Sequence, residues 1–288
     1  MHKKLNVVLV GTTAHLPTPI VKNDPYSHLA SGSLVVPQYG KEYQKWLEVS
    51  VKIQVPMANG SGTIVYSDSQ WTYVQTCGHL WGNMQISMSR EDQAKSSFHE
   101  KCKVFVFYDN HKKLSDPLIY DAQVLYYMNK GGIGGGNDCA LLRFRSDRVF
   151  PYIPIGSGNY KTDPLYSTGC DGGSDPALYV VRLIALPAYN FPHLVTTSNS
   201  PRPGRSGGGL FNDKYLIGVS WGTSNKTGIG NGYFTSLQTI RYYNQINGYG
   251  WLNDLEVNLA TKIPVFDHTN RTTHFPSDYI PTPLIKDY

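Results

Sequence analysis

Hydrophobic and polar residues alternate along the chain just after Glu48. Val49, Val51, Ile53 and Val55 occupy every second position, and the three residues between them are polar. Because successive side chains of a β-strand point to opposite faces, this alternation predicts a strand with one buried face. Shorter runs rich in β-branched and aromatic residues predict further strands at 63–66, 71–76, 85–89, 102–108, 122–128, 140–144, 165–167, 178–185, 215–220 and 232–235.

Turn-forming residues separate these runs. Glycine, proline and asparagine fall between them, for example at 59–62, and strands do not alternate regularly with helices. This arrangement favours an antiparallel barrel or sandwich over a parallel α/β fold. One helix is predicted at 236–246, where hydrophobic residues recur at helical spacing and Gly248 can end the helix. The pattern therefore predicts an all-β protein with a helix at the end of the β unit.

The composition agrees with a chain rich in turns and strands. Among 288 residues there are 28 glycines, 18 prolines and 21 tyrosines, which argues against coiled coils and helical bundles. Charged residues make up only 16%, below the roughly 25% of an average soluble domain. The net charge of +5 is spread along the chain, so we expect no nucleic-acid partner.

The two ends of the chain differ from its middle. Residues 1–45 and 256–288 each hold four prolines, and we expect them to be an N-terminal extension and a C-terminal tail around a unit at 46–255. No apolar run reaches the ~18 residues of a membrane-spanning helix, so an integral membrane protein is not expected. Two lysines before the apolar residues 5–10 weakly resemble a signal peptide, which leaves the compartment open.

The four cysteines form no metal or redox motif. They are far apart in sequence and contain no C-x-x-C pair, so we predict neither a zinc ribbon nor a thioredoxin-like site. Two disulfides are possible among the four, which are Cys77, Cys102, Cys139 and Cys170. No metal or organic cofactor is expected.

A glycine-rich turn carries the strongest chemical signal. Ser206 lies within Gly204-Arg205-Ser206-Gly207-Gly208, just before a short apolar run. Such a turn can present a hydroxyl while the amides of Gly204 and Ser206 bind the oxyanion that forms when an acyl carbon is attacked. A similar string also occurs in ordinary turns, so this serine needs partners before it can be assigned as a nucleophile.

One histidine and one aspartate are suitable partners for this serine. His79 ends a predicted strand, where a rigid element can aim its ring, whereas the other eight histidines fall in the arms or in polar turns. Asp138 lies immediately before an apolar strand, where a half-buried carboxylate can hold an imidazole N–H. Asp138 could also be a simple turn-capping residue.

Five stretches around these residues resemble the trypsin-like (chymotrypsin-fold) serine proteases. In order, the stretches are Gly60-Ser-Gly-Thr-Ile-Val-Tyr, 74–79, Asn137-Asp-Cys-Ala-Leu-Leu, Gly218-Val-Ser-Trp-Gly and Gly232-Tyr-Phe-Thr. Together they cover roughly residues 46–253. The resemblance implies two antiparallel six-stranded β-barrels, at about 46–150 and 151–255, with a C-terminal helix and a catalytic cleft between the barrels.

The resemblance also implies a role for each matching residue. Ser206 would attack the peptide carbonyl, His79 would take and return the proton, and Asp138 would fix the tautomer of His79. The amides of Gly204 and Ser206 would line the oxyanion hole. The residues that would contact the substrate are Ser200 at the pocket floor, Gly222 and Gly232 at its walls, and Ser220, Trp221 and Gly222 on the strand that pairs with the substrate. A neutral floor predicts a preference for large apolar or aromatic side chains.

Three positions depart from the family pattern. Arg205 precedes the nucleophile where secreted digestive members carry an aspartate that pairs with a newly cut N-terminus, so we do not expect that activation switch. Cys77 and Cys139 flank the base and the acid at positions that should face the core. We therefore expect these two cysteines to be buried thiols rather than disulfide partners.

The sequence thus predicts a serine endopeptidase that acts on protein or peptide substrates through an acyl-enzyme. Two alternatives stay open. A member of the same fold could be a catalytically silent binding module, and a G-x-S-x-G turn also occurs in esterases of the α/β-hydrolase class. That class places its acid and histidine after the serine, as Asp254 and His268 do here, but the all-β pattern argues against it.

Overall fold

The computed structural model describes residues 34–35, 41–56, 58–81, 102–130, 137–156, 164–186, 193–198, 201–223 and 231–255. Six strands form a closed antiparallel barrel in the spatial order β2-β3-β4-β7-β6-β5. They are β2 (Ser50–Val55), β3 (Ala58–Ser67), β4 (Trp71–Thr76), β5 (Cys102–Asp109), β6 (Lys112–Lys130) and β7 (Asn137–Arg145). The predicted alternation after Glu48 is confirmed, because Val51, Ile53 and Val55 of β2 are all buried.

The remaining strands form a second antiparallel sheet in the order β1-β9-β8-β12-β13-β14-β11-β10. They are β1 (Leu34–Val35), β8 (Leu165–Gly169), β9 (Ala177–Val181), β10 (Leu183–Ala185), β11 (Leu194–Thr197), β12 (Gly209–Phe211), β13 (Leu216–Thr223) and β14 (Gly232–Ser236). Seven of them make a nearly closed second barrel, and β1 extends its edge by pairing with β9. The predicted double-barrel fold is confirmed, with seven strands rather than six in the second barrel.

Two helices accompany the barrels within the described residues. The predicted C-terminal helix is confirmed as α2 (Leu237–Ile246), and Ser236 precedes it as an N-cap whose side chain accepts a hydrogen bond from the Thr239 N–H. A second helix, α1 (Lys41–Glu48), is not predicted from the sequence. It packs onto the second barrel, where Trp46 stacks on Tyr166 with ring centroids 4.0 Å apart.

The predicted turn at 59–62 is wrong, because these residues lie within β3. Asn59 and Ser61 pair with Gln54 and Lys52 of β2. The Ser61 N–H also donates to the Ser206 carbonyl at 2.6 Å, so the backbone of this segment is fixed from both sides. The predicted strand at 85–89 lies outside the described residues.

Buried hydrogen bonds join the two barrels. The Ser50 hydroxyl of β2 donates to Thr168 Oγ1 of β8 at 2.6 Å. Farther along, the Thr235 hydroxyl of β14 donates to the backbone carbonyl of Asp138 in β7 at 2.7 Å. Because unpaired buried polar groups are costly, such bonds favour one relative position of the barrels.

Candidate active site

β4 and β7 bring His79 and Asp138 together. Thr76 at the end of β4 pairs with Ala140 near the start of β7. The chain then enters a short 3-10 turn at His79–Trp81. Asp138 lies two residues before Ala140 and therefore lies beside the residues that follow β4. The adjacency of base and acid thus follows from the strand register.

The Asp138 carboxylate accepts three N–H groups. Oδ1 accepts from the backbone amides of Gly78 at 2.6 Å and of His79 at 2.9 Å. Oδ2 lies 2.6 Å from His79 Nδ1. Since an ionised carboxylate only accepts, Nδ1 carries the proton, and in the neutral ring Nε2 is the basic nitrogen. The side chains of His79 and Asp138 are 28% and 8% exposed, so the base is more open to solvent than the acid.

The surroundings of His79 raise its pKa overall. Burial alone lowers the pKa, but the Cys77 sulfur and the hydrogen-bonded Asp138 carboxylate raise it, and the net pKa lies above the ordinary 6.5. Burial also raises the pKa of Cys77, which keeps its thiol neutral near pH 7. The charge that favours the imidazolium is then that of Asp138. Such a carboxylate stabilises the protonated base that forms during acyl transfer.

The turn that carries Ser206 packs against the segment leading to His79. Gly207 has a φ of +87°, and a Cβ there would lie 2.1 Å from the Ser61 carbonyl oxygen and 3.2 Å from the Cys77 amide nitrogen. The Gly207 N–H donates to the Ser220 carbonyl at 2.7 Å. The structure therefore brings the Ser206 turn, the His79 segment and Asp138 to one place.

Ser206 and His79 share no hydrogen bond in the part of the chain that the structure describes. Among the described residues no hydrogen bond joins the Ser206 hydroxyl to His79, and the partner of His79 Nε2 is Cys77 Sγ at 3.8 Å. Catalytic hydrogen bonds are often long before substrate binds, so this geometry does not contradict the predicted pairing of Ser206 with His79. The predicted pair of His79 and Asp138, in contrast, is hydrogen-bonded.

The amides predicted for the oxyanion hole lie in this same turn. Gly204 has a φ of +91°, which favours glycine. Within the described part of the chain, neither the Gly204 N–H nor the Ser206 N–H donates to a backbone carbonyl. Two amides without a backbone acceptor, two residues apart in a glycine-rich turn, can bind a developing negative charge.

The residues predicted to contact the substrate divide into three groups. Ser200 lies outside the described residues. Trp221 and Gly222 lie on β13, where Trp221 stacks on Tyr233 at 5.7 Å and a Cβ at Gly222 would meet only Tyr233 Cδ2 at 3.9 Å. Ser220 is buried, and its carbonyl accepts from the Gly207 N–H of the Ser206 turn. Gly232 is buried on β14 opposite Thr223.

Cys77, His79 and Asp138 offer three potential metal ligands within 4.8 Å of one another. Asp138 engages Nδ1 of the ring, whereas Cys77 faces Nε2. These two ring nitrogens point in different directions. A metal ion bound to one of them would therefore not be adjacent to both Cys77 and Asp138. The geometry fits an acid–base pair better than a metal centre. All four cysteines are buried free thiols, as expected for Cys77 and Cys139.

The sequence does not predict the contacts that two residues, Ser61 and Arg205, make at the site. Ser61 binds the nucleophile turn through both its amide and its hydroxyl, and the hydroxyl donates to the Gly204 carbonyl at 2.7 Å. Arg205 is buried and pairs with Asp171 at 2.8 Å. The partners lie 143 and 34 positions apart in the chain. Local pattern does not reveal contacts over such separations.

A sequence model described as "Trypsin-like peptidase domain" matches residues 60–219, which is more than half of the chain. No curated protein gives a significant match to the sequence. Several solved structures are similar in fold. Rv3671c from M. tuberculosis H37Rv, in an inactive form, has 17% identity and a TM-score of 0.50, and the match covers 76% of this chain and 97% of that one.

Two further structures give similar values. Deg5 has 17% identity and a TM-score of 0.51, with 73% of this chain and 93% of that chain covered. The serine endoprotease from Yersinia pestis has 18% identity and a TM-score of 0.50, with 74% and 67% covered. At these identities the likeness shows a shared fold.

Proposed function

The chain belongs to the trypsin-like peptidase family, and on this premise we propose that it hydrolyses peptide bonds with Ser206 as nucleophile, His79 as general base and Asp138 as orienting acid. The observation that carries the proposal is the carboxylate of Asp138, which accepts three N–H groups including that of His79 Nδ1. This arrangement leaves Nε2 to take the serine proton.

The reaction would proceed in two halves. Ser206 Oγ attacks the substrate carbonyl while His79 Nε2 takes its proton, and the amides of Gly204 and Ser206 stabilise the oxyanion. His79 then gives the proton to the leaving amine, which departs and leaves an acyl-enzyme. Water, activated by the same nitrogen, releases the acyl group and restores the serine.

We further infer a preference for large apolar or aromatic residues before the scissile bond. Ser200 would give a neutral floor, and the space beside Gly222 is open on the described side. The stacked aromatic side chains of Trp221 and Tyr233 lie on β13 and β14, the strands that carry Gly222 and Gly232. Rates on matched reporter peptides with Phe, Leu, Arg or Ala before the scissile bond test this, and a dominant rate for Arg would contradict it.

A fluorophosphonate probe tests the catalytic proposal. We expect the probe to label the wild type but not Ser206→Ala, and peptide hydrolysis to be lost in both Ser206→Ala and His79→Ala. Ser115→Ala, at an exposed serine of the β5–β6 hairpin, is the matched control and should be labelled normally. Triad members act as a unit, so each loss should reach several orders of magnitude.

The same experiment separates the alternatives. Labelling that persists in Ser206→Ala would refute the nucleophile assignment. Labelling without hydrolysis of casein or peptides would favour an esterase. The absence of both labelling and hydrolysis would favour a binding module that keeps the fold. Protein substrates are the expected partners, and no helix in the described ranges is long and apolar enough to cross a bilayer.

A further inference from the structure

The residue before the proposed nucleophile is an arginine that is almost fully enclosed. The Arg205 side chain is 2% exposed. It binds Asp171 through two parallel bonds, from Nε to Oδ1 at 2.8 Å and from Nη2 to Oδ2 at 3.0 Å. Its Nη1 donates to the carbonyls of Ser167 at 3.0 Å and Ala177 at 3.2 Å. A buried arginine with a bidentate carboxylate partner holds its backbone in a defined place.

Tyr179 of β9 completes this buried cluster. Its hydroxyl donates to Asp171 Oδ2 at 2.9 Å. The Arg205 guanidinium carbon lies 4.2 Å from the centre of its ring. Asp171 is thus fixed by both Arg205 and Tyr179, and the only negative charge in direct contact with the guanidinium, among the described residues, is that of Asp171.

Asp171 also begins the short 3-10 turn Asp171–Gly173. This turn contacts the Pro203–Gly204 peptide, whose N–H is the Gly204 amide proposed for the oxyanion hole. The Gly172 N–H donates to the Pro203 carbonyl at 2.7 Å. In a trans peptide the C=O and the following N–H point in opposite directions. The Gly204 N–H therefore points away from the Asp171–Gly173 turn.

The turn around Gly204 has the features of a type II β-turn. The Arg205 N–H donates to the Arg202 carbonyl at 3.1 Å, proline occupies the second position, and glycine with positive φ occupies the third. A Cβ at Gly204 would lie 2.4 Å from the Cys170 carbonyl oxygen. The peptide is therefore packed tightly against the chain that leads into Asp171.

We propose that Asp171 is a positioning residue for the oxyanion site: its ion pair with Arg205 holds the Asp171–Gly173 turn against the Pro203–Gly204 peptide and so aims the Gly204 N–H at the reacting carbonyl. The inference rests on the proposed function. Both charges belong to this chain and are already paired, so the oxyanion site forms without cleavage to create a new N-terminus.

Asp171→Asn tests this role against Asp175→Asn as a matched control. Asp175 lies on the same loop, and its exposed carboxylate pairs with Lys113. For Asp171→Asn we expect kcat per titrated active site to fall at least tenfold with KM changed less than about twofold, because an oxyanion donor acts mainly in the transition state. The control should keep kcat within about twofold. A protein that is merely less well folded would lose titratable sites and keep its kcat per site.

Tyr179→Phe gives a milder second variant in case Asp171→Asn does not fold. It removes one hydrogen bond to Asp171 and keeps both charges, so we expect kcat per site to fall about two- to fivefold with KM unchanged. An unchanged kcat in both variants would overturn the proposal, as would losses equal to that of Asp175→Asn.

Crystal structures of the wild type and Asp171→Asn separate this inference from the proposed function. We expect the Pro203–Gly204 peptide to rotate in the variant, so that the Pro203 carbonyl leaves Gly172. If the wild type hydrolyses no peptide, the proposed function fails, yet a rotated peptide would still support the positioning role. A peptide that keeps its orientation in Asp171→Asn would overturn that role whatever the activity.

Discussion

Replacing Asp138 by asparagine tests the half of the site that is already assembled. An asparagine has nearly the same shape, and its oxygen can still accept from the amides of Gly78 and His79. Its NH₂ group would replace Oδ2, which lies 2.6 Å from His79 Nδ1. Because both groups would then donate, the ring must move its proton to Nε2, or the pair must separate. Either outcome removes the base that Ser206 requires.

The expected loss of kcat is much larger than the loss caused by an ordinary surface substitution. The corresponding change in a serine protease with the same triad lowers kcat about 10⁴-fold through the wrong tautomer. At about 1.36 kcal/mol per factor of ten, this is about 5.4 kcal/mol of transition-state stabilisation. A single charge-assisted hydrogen bond contributes about 1.5–3 kcal/mol to stability, so the loss in rate exceeds the loss of that bond alone.

The assay is steady-state hydrolysis of a peptide, with kcat expressed per active site by titration. Asp121→Asn is the matched control, because its carboxylate is 81% exposed and pairs only with Lys103 in the described structure. We expect Asp138→Asn to lower kcat about 10⁴-fold and Asp121→Asn to change kcat less than about twofold. If Asp138→Asn kept more than a tenth of the wild-type kcat, Asp138 would not be the orienting acid.

Three further predictions concern the same site. Because the net pKa of His79 lies above 6.5 and only its neutral form accepts the serine proton, kcat/KM should rise with pH to a midpoint above 6.5, and a midpoint at or below 6.5 would contradict the raised pKa. The same shift stabilises the fold at lower pH, and this stability is lost as pH rises through the folded-state pKa. Ser61→Ala leaves the Gly204 carbonyl and the Cys170 N–H without their buried partner, so urea titration should show a loss of about 1–3 kcal/mol per group, and no loss would exclude this role. Finally, a thiol reagent should modify none of the four buried cysteines before unfolding and all four after it, whereas rapid reaction of the native protein would contradict their burial.

The sequence predicts best where structure is local. Strand β2 follows directly from alternation, because each valine or isoleucine on one face is buried in the barrel. Helix α2 follows from helical spacing and the Ser236 cap. Helix α1 escapes prediction, because it is only eight residues long and directly follows a proline-bearing segment that resembles an arm. Its position depends on Tyr166, 120 residues later, which no local pattern reveals.

The same restriction to local patterns explains which residues of the candidate site the sequence indicates. Candidate residues such as His79, Asp138 and Ser206 stand out because each lies in a short stretch with a family-like pattern, and their catalytic roles stay predictions. The environment of Arg205 has no such pattern. Its charge suggests a surface residue, yet it is buried because Asp171 compensates the charge. Only the folded chain shows that this arginine has a partner.

The hydrogen bonds around Ser61 help to fix the position of Ser206 relative to His79. Ser206 belongs to the second barrel and His79 to the first, so their separation could depend on how the barrels pack. However, the Ser61 N–H binds the Ser206 carbonyl, and the Thr76 hydroxyl binds the Ser61 carbonyl at 2.6 Å, just before His79. The turn is thus held through β3 and β4 of the first barrel. A rigid movement of one barrel against the other would have to break the bonds from the Ser61 amide to the Ser206 carbonyl and from the Ser61 hydroxyl to the Gly204 carbonyl, at about 1–3 kcal/mol for each group left unpaired. Ser61 therefore couples the position of the Ser206 turn to the strand that pairs with β4, just before His79.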